Sequence, residues 1–287
     1  MPERAGLDYH PAITGASKSV LLEVMTILKT YRDSLVLIGG WVPYFLLEKN
    51  RPAGSDFNHI GSIDIDLVIN PATINEEVYA TMAQMLLSKG YRPSKEILYQ
   101  FEKTVRSEID KKEYTIKIDF LCPLADKAVP GSTKHRHRLI QSGLKARNLR
   151  GAEVSFISNQ KIELSGTLPN NGRTTLEFKM VSLAGFMALK GIAFGDRYKE
   201  KDAYDIYVLC DYYKEGPTSV AKEIKNLRDN PIVREGLLAV KERFRAIDAE
   251  GPYWVANFMA STDSAEKERI RQRSFMIVNE TIQKIGI

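Results

Sequence analysis

Residues 62–70 read SIDIDLVIN, a strict alternation that puts Ile63, Ile65, Leu67 and Ile69 on one face of a strand and Asp64, Asp66 and Val68 on the other. Two carboxylates spaced in this way leave the strand on the same side, close enough to share a pair of magnesium ions, for which hard oxygen ligands are suited. A third carboxylate on a neighbouring strand would complete such a site. Tyr114 to Leu121 offers one, because Tyr114, Ile116, Ile118 and Phe120 face one way and Asp119 the other. In a two-metal displacement one ion activates an attacking hydroxyl and the other neutralises the leaving group, chemistry that serves phosphoryl or nucleotidyl transfer. A lone Asp-x-Asp is weak evidence, and its plain alternative is a solvated strand face.

Upstream, Leu35 to Ile38 is a short apolar run bounded by Asp33-Ser34 and by Gly39-Gly40, as expected of a buried strand, and Trp41 to Glu48 then reads as a helix with Pro43 in its first turn. Glycine lets the backbone approach a phosphate closely, and a helix N-terminus offers free N–H groups. The plain alternative is a tight turn. Strand, two glycines, helix and a paired-Asp strand are together more specific than any one of them.

The remaining elements follow from period and punctuation. A helix is expected over about Ser17 to Thr30, and Thr73-x-x-Glu76 reads as a capping box opening a helix to about Ser88. Strands are expected near Ile97 to Arg106 and Tyr114 to Leu121. The stretch 123–178 reads as at most partly helical in its basic part, then as short strands around Pro169 to Gly172. From Val181 helical period dominates, with turns at Gly191 to Gly195, Gly216-Pro217, Asn230-Pro231 and Gly251-Pro252. The expectation is an α/β domain over 1–175 and a helical domain over 176–287.

The net charge of +5 is local: Lys127 to Ala152 holds seven Lys/Arg, two His and no Asp or Glu. Such an excess points to a polyanionic partner, against the alternative of a solvated face. His135 and His137 have no other Cys or His placed to help them hold a metal. Cys122 and Cys210 are far from any ligand spacing, the longest apolar stretch is too short to span a bilayer, and no leader-like h-region stands at the N-terminus. A cytoplasmic protein without a membrane segment is expected.

The succession strand-Gly39-Gly40-helix, Ser62-x-Asp64-h-Asp66-h and a later h-x-h-Asp119 strand resembles the nucleotidyltransferase superfamily of DNA polymerase beta, over about residues 35–121. The segment LKGIAFGDRYKEKDAYDIYVL resembles the Lys…Arg…Lys/Arg-Asp-x-x-Asp block of AbiEii-type nucleotidyltransferases, toxins of bacterial toxin–antitoxin and abortive-infection systems, and extends the similarity to about residue 210. The resemblance implies a polymerase beta-like core, a small mixed sheet with flanking helices, followed by a C-terminal helical domain. It implies that Asp64 and Asp66 hold two magnesium ions and Asp119 the catalytic one, that Gly39, Gly40 and Ser62 serve a nucleoside triphosphate donor, that Lys190 pairs with phosphates, and that Asp205 or Asp202 acts from the helical domain. It further implies pyrophosphate as leaving group, tRNA as acceptor and a cognate antitoxin as protein partner.

Two features depart from that pattern. Trp41 stands where Ser or Thr is usual after the second glycine, a feature shared with antibiotic-modifying members of the superfamily. The 23 residues between Gly40 and Asp64 make a long connection, whose loop 49–61, with Arg51 and His59, reads either as a lid over the nucleotide or as a tolerated insertion. Three functions are thus in play: nucleotidyl transfer to RNA through segment 127–152, transfer to a small molecule such as an antibiotic, and a silent nucleotide- or RNA-binding module. For Lys190 the sequence suggests a lysine closing an apolar helix, Met180 to Leu189, with its ammonium projecting across a cleft. For Asp205 the plain alternative is a surface i, i+4 ion pair with Lys201. Tyr204, Tyr207, Tyr212 and Tyr213 suit helical core better than base stacking.

Overall fold

The computed structural model describes residues 6–74, 80–124, 137–260 and 263–287. The chain is a mixed α/β protein with two compact units, one drawn from His10–Trp41 and Ser62–Ser182, the other from residues up to Tyr9, Val42–Gly61 and Leu183–Ile287.

The first unit is built on a mixed sheet. Its strands are β1 (Leu35–Ile38), β2 (Asp64–Ile69), β3 (Arg92–Pro93), β4 (Gln100–Arg106), β5 (Glu113–Pro123), β6 (His137–Gln141), β7 (Leu144–Leu149), β8 (Asn159–Thr167) and β9 (Arg173–Val181). The main order is β3-β4-β5-β2-β1-β9-β8, with β7 beside β5 and β6 beside β7. β2 runs antiparallel to β1 and parallel to β5. Helix α1 (Pro11–Ile27) starts six residues earlier than the periodicity suggests, because Pro11 is tolerated in the first turn. α1 buries Val20, Leu21, Val24 and Met25, and its Glu23 accepts a hydrogen bond from Lys103 of β4 at 2.5 Å. Lys103 and Gln100 lie on opposite faces of β4, so α1 covers the face opposite Gln100. Burying four such apolar side chains favours the docked helix by roughly 1.5–3 kcal/mol each before entropic costs.

Three local expectations change. Glu76 lies outside the described residues, and the short helix that is described, α3 (Met82–Leu87), has its own capping box between Thr81 and Gln84. The described part of the basic segment is a β-hairpin, β6–β7, not partly helical, and pairs through β7 with the end of β5. The boundary expected at 175 falls inside β9, and the division is not contiguous, since helix α2 (Trp41–Asn50) and the loop after it belong with the C-terminal helices.

That second unit contains α2, α5 (Leu183–Asp196), α6 (Glu200–Tyr212), α7 (Pro217–Ile224), α8 (Pro231–Arg243), α9 (Glu250–Met259) and α10 (Ser264–Ile285); the sheet unit's remaining helical turn is α4 (Val154–Ile157). Gly191 and Gly195, read as a turn, lie inside α5. A Cβ on Gly191 would sit 2.2 Å from the carbonyl oxygen of Gly236, and one on Gly236 would sit 2.3 Å from that of Ala188. These glycines are the contact at which α5 and α8 approach backbone to backbone. Among the described residues no helix is long and apolar enough to cross a membrane.

Candidate active site

In the parallel ladder of β2 and β5, Asp66 is directly opposite Asp119 and Asp64 opposite Lys117. Partnered residues of a ladder project to the same side, so Asp64, Asp66 and Asp119 share one face of the sheet. The opposite face carries Ile65, Leu67, Ile118 and Phe120, all fully buried. The alternation that packs the core thus puts the three carboxylates on one face of the sheet.

Each has a defined setting. Gly39, with φ +76°, closes the turn after β1 so tightly that a Cβ there would lie 2.0 Å from Asp66 Oδ2. Asp119 Oδ1 accepts a hydrogen bond from Gln100 Nε2 at 2.6 Å. Burial first, then the negative charge of Asp66, pushes the Asp119 carboxyl up to about 7; Asp64 acts in the same sense, while Gln100 and the positive charge of Arg147 oppose them. The hydroxyl of Ser62 donates to the Asp64 carbonyl at 3.0 Å, and Trp41 is buried. Among the described residues no three His, Cys, Asp or Glu side chains are grouped so as to hold a metal ion. The donor set itself is all carboxylate oxygen, suited to magnesium, and one Asp119 oxygen is turned to Gln100 in this conformation.

Lys190 and Asp205 come together within the helical unit. Lys190 Nζ is 2.8 Å from Asp202 Oδ1 and 3.0 Å from Asp205 Oδ2, the latter a charge contact without hydrogen-bond alignment. Lys201 Nζ lies 2.7 Å from Asp205 Oδ1, and Arg197 Nε 2.8 Å from Asp202 Oδ2. The pair Lys201–Asp205 is therefore present as the i, i+4 spacing suggests, but buried rather than on the surface. Lys190 lies in the middle of α5, its ammonium engaged by two aspartates instead of standing free at a helix end. Burial opposes its charge, and Asp202 and Asp205 outweigh burial, leaving its pKa above the ordinary lysine value. In Lys201 burial wins and lowers the pKa to about 8, whereas both Asp202 and Asp205 are held below their ordinary range by the surrounding cations. With three nitrogens around it, Asp205 is ionised.

The loop after α2 is tied to this cluster. His59 Nδ1 accepts from the Gly61 N–H at 3.0 Å, so Nε2 carries the proton and donates to Asp205 Oδ1 at 3.1 Å. The Ile60 N–H donates to the Tyr204 hydroxyl at 3.3 Å, and Phe57 stacks on Tyr212 with centroids 3.9 Å apart. These contacts fasten loop 49–61 to α6 in this structure. Tyr204, Tyr207 and Tyr213 are buried as core residues.

Of the basic segment, Lys127, Lys134, His135 and Arg136 lie outside the described residues. Arg147 and Arg150 are exposed, and His137 is paired with Arg147 across β6–β7. A cleft of about 680 Å³ opens between the segment before β4 and β7, lined among others by Tyr99, His137, Arg147 and Asn148. A smaller cavity of about 300 Å³, formed by α1 with the ends of β4 and β8, contains none of the three carboxylates. No family model matches the chain, and no curated protein or solved structure matches it either.

Proposed function

We propose that this protein is a metal-dependent nucleotidyltransferase with a polymerase beta-like core, which transfers a nucleoside monophosphate from a nucleoside triphosphate to an acceptor hydroxyl on RNA. The observation that carries the proposal is the register of β2 and β5, which pairs Asp66 with Asp119 while Asp64 stands two residues away on the same face and Gly39 packs on Asp66. Asp64, Asp66 and Asp119 would hold two magnesium ions, which when bound supply charge neutralisation at the triphosphate and lower the pKa of the attacking hydroxyl.

The chain's own groups do the rest. The missing Cβ of Gly39 makes room for the Asp66 carboxylate, and a phosphate would be met by backbone N–H groups of the turn beside it. Asp119, whose Oδ1 accepts from Gln100, would be a ligand to a bound divalent cation, whose charge would offset the repulsion among the three carboxylates. The acid-free stretch 127–152 supplies cations for an RNA backbone. The buried Lys190–Asp202–Asp205 cluster fixes the middle of α5 against α6, and the similarity of this block to AbiEii-type toxins supports a toxin whose antitoxin is a separate protein.

The test is pyrophosphate release from each of the four ribonucleoside triphosphates with total RNA and magnesium, alongside calorimetric titration of Mn2+ into the wild type and Asp66→Asn. Magnesium-dependent label transfer to RNA, with Mn2+ binding lost in the variant, is expected. Absence of both transfer and Mn2+ binding in the wild type overturns the proposal.

A further inference from the structure

We infer that the cleft between Tyr99 and Arg147 is the subsite for the terminal nucleotides of a single-stranded RNA acceptor. The inference rests on reading Asp64, Asp66 and Asp119 as the reaction centre, and begins from the strand order. The glycine turn of β1 lies on one side of β2, and β5 lies on the other. A donor held at Gly39–Gly40 occupies the β1 side, and in-line displacement brings the acceptor oxygen from the side opposite the leaving group. That is the β5 side.

There the sheet forks. β5 pairs with β4 up to Asp119 opposite Gln100, and then with β7 from Leu121 opposite Arg147. Both partners lie on the same edge of β5, so one strand leaves and another arrives immediately beyond Asp119. The fork is the cleft. Ladder pairing puts Gln100, Asp119, Leu121, Arg147 and His137 on one face, continuous with the carboxylates.

Its lining has the composition that single strands require. Tyr99, half-buried and next to Gln100, offers a ring for stacking, and the Arg147 guanidinium lies 5.9 Å from that ring's centroid, with its other side exposed to a phosphate. His137 and Asn148 provide hydrogen-bonding groups, and Leu98, 58% exposed, provides apolar surface at the rim. Among the described lining residues Glu96 is the one carboxylate, and Arg147 with its neighbours on the β6–β7 hairpin supplies the positive charge. An RNA end stacked on Tyr99 would lie next to Gln100, whose amide holds Asp119 Oδ1.

The experiment uses the full chain, without nucleotide, and a short single-stranded oligoribonucleotide carrying thiouridine at its terminal position. Crosslinking is expected at residues 97–99, 137 or 147–148. By fluorescence anisotropy, Tyr99→Leu is expected to weaken binding about tenfold and Tyr99→Phe by less than about twofold. Arg147→Gln, at an exposed side chain, should weaken binding and lower the salt slope by about one. Crosslinks confined to other surfaces, or unchanged affinity in both Tyr99→Leu and Arg147→Gln, overturn the inference. So does efficient transfer to a small hydroxylated compound by a wild type that binds no oligonucleotide. Binding in the cleft without any transfer upholds the subsite and removes the nucleotidyltransferase reading instead; transfer to RNA with an unchanged KM in both variants does the reverse.

Discussion

Gly39 packs directly on the carboxylate of Asp66: a Cβ on the glycine would overlap Oδ2 at 2.0 Å, and its φ of +76° is one that side chains rarely adopt. Gly39→Ala therefore carries two separable penalties. Gly54, with φ +81° and nothing within 4 Å of where a Cβ would stand, carries only the backbone one. Gly54→Ala is expected to lose about 1 kcal/mol in denaturant unfolding. Gly39→Ala should lose clearly more and, by displacing Asp66, abolish magnesium-dependent transfer. Equal losses in the two variants would mean that Asp66 moves aside at no cost.

Replacing Asp64, Asp66 or Asp119 by Asn should lower turnover by at least about a hundredfold, the equivalent of roughly 3 kcal/mol of transition-state stabilisation. Stability should move the other way for Asp119→Asn. A buried carboxylate facing Asp66 and Asp64 is a liability without a cation, and Asn can still accept from Gln100. In metal-free buffer the variant is expected to melt above the wild type. A lower melting temperature would make Asp119 a structural residue.

How much of the fold and the site is legible in the sequence depends on the range of the interaction. The alternation around Asp64, Asp66 and Asp119 is local, and it places each carboxylate on the polar face of its strand. The pairing of Asp66 with Asp119, across more than 50 residues of chain, depends on register, which no local pattern expresses. The β6–β7 hairpin has no local signature because it lacks an apolar alternation, with Leu139 exposed and charges on both sides. Gly191 reads as punctuation until α8 is brought against it. His59 sits in an aperiodic loop, and its partner is 146 positions away. The charges of α6 suggest a wetted face, and only tertiary packing turns them inward.

That packing alters what is expected of Lys190 and Asp205. A surface or cleft position would leave the fold of Asp205→Ala intact; the buried one does not. Around Asp202 and Asp205 stand Lys190, Lys201 and Arg197, so removing Lys190 leaves each aspartate a cation, whereas removing Asp205 leaves Lys201 without its carboxylate. Lys190→Met is expected to cost about 1–3 kcal/mol and Asp205→Ala about 3–5 kcal/mol. Urea unfolding of the two variants measures the difference, and the reverse order would show that Lys190, not Asp205, is the keystone of the cluster.

The last expectation is a pH dependence at His59. Burial foremost, and the nearby charges of Lys201 and Lys190, lower its pKa from 6.5 to about 4, although its bond to Asp205 and that residue's charge pull upward. Protonation at Nδ1 would also break the bond from the Gly61 N–H. As pH falls below 6.5 the unfolded chain takes up a proton that the native state refuses, so stability is lost progressively until about pH 4, where the native ring titrates too. The slope approaches about 1.4 kcal/mol per pH unit within that window, or roughly 2 kcal/mol by about pH 5. Asp119 works in the opposite sense, because its raised pKa makes the native state the better proton acceptor below about 7. The wild-type curve alone therefore mixes the two. Subtracting the unfolding free energies of His59→Gln from those of the wild type at each pH cancels the Asp119 contribution, provided the two sites are independent. The difference should fall steadily with acidification from about pH 7 to about pH 5; a flat difference would mean that His59 titrates in the native protein as it does in the unfolded chain, and that burial and the charges of Lys201 and Lys190 do not hold it neutral.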